Sequence, residues 1–216
     1  MDDPTLDEMR VMLAVELPRH AAFHGWTPAA LDLAAAACGI NPAVARLAFP
    51  GGAVDMVDAW FAHVDAAMLE RLPSETLAAM KVRQRITALV EARLDLVAAD
   101  GEALRRALAV LAQPQNLARA ARLNWRAADV MWRAAGDTAT DYNHYTKRAL
   151  LGGVYAATVL AMMADESEGR ADTRAVLGRS IEGIMQFEKL KARFSRAAPE
   201  RLSLARFLGR LRYPAV

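Results

Sequence analysis

Between Gly136 and Arg148 the chain crowds Asp137, Asp141, Tyr142, Asn143, His144, Tyr145 and Lys147 around a helix start, shortly after Met131-Trp132. Aromatics beside fixed charges suit a protein-partner surface better than an active site. Metal chemistry is not supported by spacing. His144 has no Cys, His or Glu four residues away, and the His20/His24 pair is followed at once by the helix-stopping Gly25 with no third ligand. No Glu-x-x-His pair, Gly-rich phosphate loop or Ser/His/Asp arrangement occurs. The expectation is a protein that is not an enzyme and holds no metal or other cofactor.

The elements that carry these residues are helical. In 216 residues, Ala and Leu dominate and no strand-like alternation occurs, so the fold class is all-α, with about nine to ten helices. Lone Cys38, in an apolar run, reads as a structural thiol and excludes an internal disulfide. No apolar run reaches the ~20 residues that span a bilayer. The acidic start Met1-Asp2-Asp3 is unlike a signal peptide or presequence, so a cytosolic address is expected, most simply in a bacterium.

Punctuation divides the chain. Helices run over about 6–23, 28–38, 43–48, 53–71, 74–98, 102–112, 114–135, 141–163 and 173–193, with a short last one behind Pro199. Thr27-Pro28 and Asn41-Pro42 each pair an N-cap with proline at the first helical position. Charge is uneven. Residues 1–80 hold 11 Asp/Glu against 4 Lys/Arg, whereas residues 81–216 hold 14 against 23.

The first four helices, with Gly25-Trp26-Thr27, Gly39-Ile40-Asn41 and Phe49 at the joints, resemble the helix-turn-helix headpiece of TetR-type transcription regulators. In that frame the third helix would enter the major groove. Here it is Pro42-Ala43-Val44-Ala45-Arg46-Leu47-Ala48, with one basic residue and no Asn, Gln, Ser or Tyr to read base edges. Residues 1–58 carry eight acids and three bases, a charge that a duplex would repel. A degenerate headpiece over residues 1–50 that binds no nucleic acid is expected, followed by a helical body over 51–195. A TetR-type repressor with a hydrophobic effector is the rival reading.

On the seventh helix Trp125, Ala128, Trp132 and Ala135 share a stripe with Met131 at its edge. The eighth is apolar on two sides. Tyr142, Tyr145, Ala149, Gly152, Gly153, Ala156, Leu160 and Met163 form one face, and Leu151, Tyr155 and Met162 the other. Such a helix is buried twice or lines an interface or cavity, and the Gly152-Gly153 pair admits a close helix, as in a four-helix dimer contact. At the end of the chain, Leu204, Phe207, Leu208 and Leu211 recur at i, i+3, i+4, i+7 with Arg206 and Arg210 opposite. That pattern suits either an anionic membrane surface or docking on the protein's own core.

The motifs Asp129-Val130-Met131-Trp132, Ala135-Gly136-Asp137, Thr140-Asp141-Tyr142-Asn143-x-Tyr145-Thr146-Lys147-Arg148-Ala149 and Met162-Met163 closely resemble the Coq-nine family, lipid-binding accessory proteins of ubiquinone biosynthesis. The resemblance implies a TetR-like homodimer without DNA binding and an apolar pocket for an isoprenoid quinone precursor or phospholipid. Trp125, Trp132, Tyr155, Leu160, Met162 and Met163 are the candidates for its lining. A further implication is a partner, the di-iron hydroxylase acting on demethoxyubiquinone. By matching position, it would be engaged through Met131, Asp137, Asp141, Asn143, Tyr145 and Arg148. His144 belongs with them, where the family's eukaryotic members have tryptophan. A membrane-seeking final helix over 199–213, contacting the inner membrane through Leu204, Arg206, Phe207, Leu208, Arg210 and Leu211, completes the set.

Overall fold

A computed structural model describes residues 4–138 and 142–197, with side chains through residue 186 apart from Tyr142 and Asn143. The expected membrane helix, and with it Leu204, Arg206, Phe207, Leu208, Arg210 and Leu211, lies outside the described residues. Among the described residues there are ten α-helices and no strand: α1 (Leu6–His24), α2 (Pro28–Ala37), α3 (Pro42–Leu47), α4 (Ala53–Arg71), α5 (Ser74–Ala78), α6 (Val82–Ala99), α7 (Gly101–Leu111), α8 (Leu117–Ala134), α9 (Tyr142–Met163) and α10 (Ala171–Ala197). Short 3-10 turns at Pro114–Asn116 and Glu168–Arg170 introduce α8 and α10.

The punctuation acts as expected at the headpiece. Thr27 accepts from the Ala30 N–H and Asn41 from the Ala43 N–H, so each satisfies a donor that the first helical turn leaves free. Gly25, at φ 70°, ends α1 in a backbone region closed to most side chains. One expectation fails. Residues 74–98 do not form a single helix, because the chain turns extended at Lys81 (φ −71°, ψ 152°). The break is held by Arg85, whose guanidinium donates to the carbonyls of Met80 (2.9 Å), Ala78 (3.3 Å) and, across the fold, Ala135 (2.9 Å). It thereby satisfies acceptors that the end of α5 leaves open.

One hydrophobic core runs from Met9 on α1 to Ile181 on α10. Headpiece and body are therefore packed together rather than hinged. Trp26 joins them: its indole N–H donates to the Ala103 carbonyl at 3.0 Å and its ring lies 5.3 Å from that of Trp60. Beneath α3, Arg10 donates to the Ala48 carbonyl at 2.6 Å and lies over the Phe49 ring. The short helix is thus fixed to α1.

Candidate functional site

The α8–α9 hairpin gathers most of the chemistry the sequence singles out. Leu123, Ala127, Ala128, Met131 and Trp132 recur at helical spacing and form the buried face of α8. The helix closes on Gly136 at φ 88°, where the Asp137 N–H reaches back to the Trp132 carbonyl at 3.0 Å and the Gly136 N–H to Arg133 at 2.9 Å. This left-handed closure turns the chain back toward α9.

An ionic clamp then ties the two helices. Arg148 on α9 donates to Asp129 on α8 at 2.5 Å and to Asp137 in the turn at 3.0 Å, and its side chain is only 2% exposed. Lys147 reaches Asp137 at 2.6 Å and lies over the Trp132 ring, whose N–H donates to the Lys147 carbonyl at 2.9 Å. Burial pushes the Asp137 carboxyl up. Hydrogen bonds from Lys147 and Arg148, with their charges, outweigh it and hold Asp137 below the usual carboxylate range.

This clamp sorts the expected partner residues. Tyr145 is on the surface, 61% exposed, in edge contact with half-buried His144 and 6.1 Å between ring centres from half-buried Trp125. Met131 is fully buried, and the side chains of Asp137 and Arg148 are interior. These three are internal anchors of the hairpin rather than surface groups. Asp141 and the side chain of Asn143 lie outside the described residues. Asp129, Lys147 and the exposed Arg122 complete the arrangement without having been expected as site residues.

The residues expected to line a lipid pocket do not converge. Trp132, Tyr155 and Met162 are buried, Trp125 and Met163 half-buried, and Leu160 is 65% exposed. Met162 borders a cavity of about 350 Å³ between α6 and α10, whose walls include Leu94, Leu177, Arg170 and Arg174. Trp125 borders a groove of about 420 Å³ along α8, with Ala121, Arg122, Arg126 and Asp129. Tyr155 points elsewhere, into a buried polar cluster.

That cluster was not expected. Arg93, 1% exposed, donates to Asp65 at 2.8 Å and to the Tyr155 hydroxyl, and lies 4.7 Å from the Tyr155 ring centre. Arg126 approaches the second Asp65 oxygen at 3.3 Å as an ion pair without a hydrogen bond. Further along α4, Arg119 meets Asp55 at 2.6 Å and Asp58 at 3.2 Å. A signal existed. Arg93 occupies the helical stripe of Ile86, Leu89, Val90 and Val97, all buried.

Gly152 and Gly153 also part company. A Cβ at Gly152 would sit 2.8 Å from Asn124 Nδ2, so this glycine lets α9 approach α8 closely; Gly153 faces open space. The two therefore do not share one face as expected. Ala149, Gly153, Ala156 and Leu160 form the exposed stripe of α9. Among the described residues no helix is long and apolar enough to cross a membrane, and no cluster of His, Cys, Asp and Glu could hold a metal ion.

Residues 117–188, which span α8, α9 and most of α10, match the COQ9 family model. Similar proteins include the mitochondrial ubiquinone biosynthesis protein COQ9 of Rattus norvegicus, 33% identical over 75% of this chain and 54% of its own length. Those of Bos taurus and Homo sapiens are 31% and 30% identical, each over 75% of this chain and 53% of their own. The chain thus spans about half the length of these curated relatives. Among solved structures, the TetR transcriptional regulator from Nitrosomonas europaea ATCC 19718 superposes with a TM-score of 0.63 at 24% identity, covering 81% of this chain and 96% of that one. That likeness shows the TetR-like fold.

Proposed function

Since the chain belongs to the COQ9 family, we propose that it serves ubiquinone biosynthesis as a non-catalytic accessory protein. It binds an isoprenoid quinone precursor and presents it to the demethoxyubiquinone hydroxylase at the membrane. The observation that carries this reading is a coincidence of place. The family segment 117–188 is also the part of the fold where a buried ionic clamp holds an exposed tyrosine, Tyr145, against half-buried Trp125. A rigid base beneath an exposed aromatic is the usual build of a protein-binding hot spot. The clamp acts on α9 and keeps Tyr145 in register; the hydroxylase contacts Tyr145 and its neighbours.

Lipid binding would draw on the hydrophobic effect, about 25 cal/mol per Å² of apolar surface removed from water. The cavity bordered by Met162, Leu94 and Leu177 offers an apolar floor beside Arg170 and Arg174. Membrane docking is assigned to the terminal segment, where Arg206 and Arg210 oppose an apolar stripe. Each cation near an anionic surface contributes about 1 kcal/mol. A homodimer would use the stripe Ala149–Gly153–Ala156–Leu160, which is exposed in the single chain.

The headpiece supports the same assignment by its charge. The one cation on α3, Arg46, is bound by Asp32 through hydrogen bonds of 3.0 and 2.5 Å. It is engaged before any phosphate arrives, which weighs against the repressor reading. Two experiments test the proposal together. Native mass spectrometry of purified protein should show co-purifying isoprenoid lipid, and immobilised protein should capture the hydroxylase, with Tyr145→Ala reducing capture at least tenfold. A lipid-free protein that sustains quinone synthesis would defeat the carrier role. Equal capture by Tyr145→Ala would remove the docking surface.

A further inference from the structure

The cations of the α8–α9 hairpin are unequally employed. Together the two helices carry Arg119, Arg122, Arg126, Arg133, Lys147 and Arg148 against a single carboxylate, Asp129. Arg119 and Arg126 turn inward onto the aspartates of α4. Arg133 lies 2.9 Å from Asp129, and Lys147 and Arg148 form the clamp. Arg122 alone has no ion-pair partner among the described residues. It is exposed, and it borders the groove of about 420 Å³ whose wall is Trp125 and whose remaining charges, Arg126 and Asp129, are already neutralised from behind.

We infer that Arg122 and the Trp125 groove form a two-part receptor for a protein partner, taking an apolar side chain against Trp125 and a carboxylate on Arg122. The inference rests on the proposed function and gives the chemistry of that partner's surface: acidic, with an aliphatic or aromatic anchor within one helical turn of the carboxylate. A protein fits this site better than a lipid surface. Membrane-binding faces present protruding apolar side chains, whereas Trp125 is recessed, half-buried against Tyr145. With its neighbours paired, the charge of Arg122 is the one left over on this face among the described residues. It adds to the rate of encounter with an acidic surface, a component that weakens as salt screens it.

The test is binding of purified hydroxylase to immobilised full-length protein at 50 and 300 mM salt, for wild type, Arg122→Met and Arg122→Glu. Wild-type binding should weaken with salt. Arg122→Met should bind at least threefold more weakly at low salt with a flatter salt dependence, and Arg122→Glu at least thirtyfold more weakly. One Asp→Lys or Glu→Lys change on the hydroxylase should restore binding to Arg122→Glu. Circular dichroism identifies folded variants, and the exposed position of Arg122 leaves the core untouched. Equal affinities and equal salt slopes for folded variants would overturn the inference while leaving the proposed function standing. Absence of any wild-type binding would instead strike the proposed function itself. Flotation with vesicles of phosphatidylglycerol and phosphatidylcholine supplies the other arm. Loss of vesicle binding by Arg122→Glu, with hydroxylase affinity unchanged, would give the arginine to the membrane and overturn the protein receptor.

Discussion

Replacing Arg148 by Met tests whether the hairpin is held by its buried charges. The substitution keeps an unbranched chain of similar length in the same space but removes the guanidinium that Asp129 meets at 2.5 Å and Asp137 at 3.0 Å. Removing one member of a buried ion pair costs about 3–5 kcal/mol, because the remaining charge stays desolvated. Here both carboxylates keep a second cation, Arg133 at 2.9 Å from Asp129 and Lys147 at 2.6 Å from Asp137. The loss should therefore fall near the lower end, about 3 kcal/mol. Urea unfolding followed by circular dichroism measures it directly. If the hairpin alone loosens, capture of the hydroxylase will fall before global unfolding does. A loss under about 1 kcal/mol, the range of solvated surface pairs, would refute the reasoning.

Further outcomes follow from the same geometry. Asp137 is depressed in the fold, so its contribution is present above the unfolded carboxylate value, about 3.9, and is lost as pH falls through its lower folded value. Asp137→Asn should remove part of the acid dependence of stability below about pH 4; identical acid titrations for the two proteins would contradict this. The neighbouring glycines should respond with opposite signs. Within one chain Gly153→Ala faces open space and should stabilise the isolated protomer by about 0.5–1 kcal/mol through helix propensity. Gly152→Leu must displace Asn124 and should cost about 1–3 kcal/mol, both read from thermal unfolding. Trp132→Phe keeps an aromatic ring but loses the indole N–H donor to the Lys147 carbonyl together with part of the buried ring, and should cost at least about 1–2 kcal/mol in urea.

What the sequence makes legible here is mostly local. The caps at Thr27 and Asn41 and the stop at Gly25 follow from side-chain and backbone chemistry within a few residues, and each is found where expected. The break at Lys81 carries no Pro or Gly. It depends on Arg85 capping carbonyls that include Ala135, 50 residues away, and no local pattern reveals such a partner. Arg93 is intermediate. Its place in an apolar stripe announces burial, but Asp65 and Tyr155 are 28 and 62 residues distant.

At the candidate site, the motif identifies the region without sorting its faces. Met131 falls on the same stripe as Leu123 and Ala127, so helical spacing alone assigns it to the interior. Tyr145 and Arg148 are three residues apart on α9, yet one is exposed and the other anchored, because two carboxylates wait on the Arg148 side only. Fold, caps and core stripes are thus sequence-local. The clamp and the groove arise when α8 and α9 meet.

The central claim, that this chain serves the hydroxylation step of quinone assembly, is tested most directly by deleting its gene and profiling quinones by mass spectrometry. Demethoxyubiquinone should accumulate at the expense of ubiquinone, and plasmid-borne wild type should reverse the change while Tyr145→Ala should not. Normal ubiquinone with no accumulated precursor in the deletion strain would contradict the account.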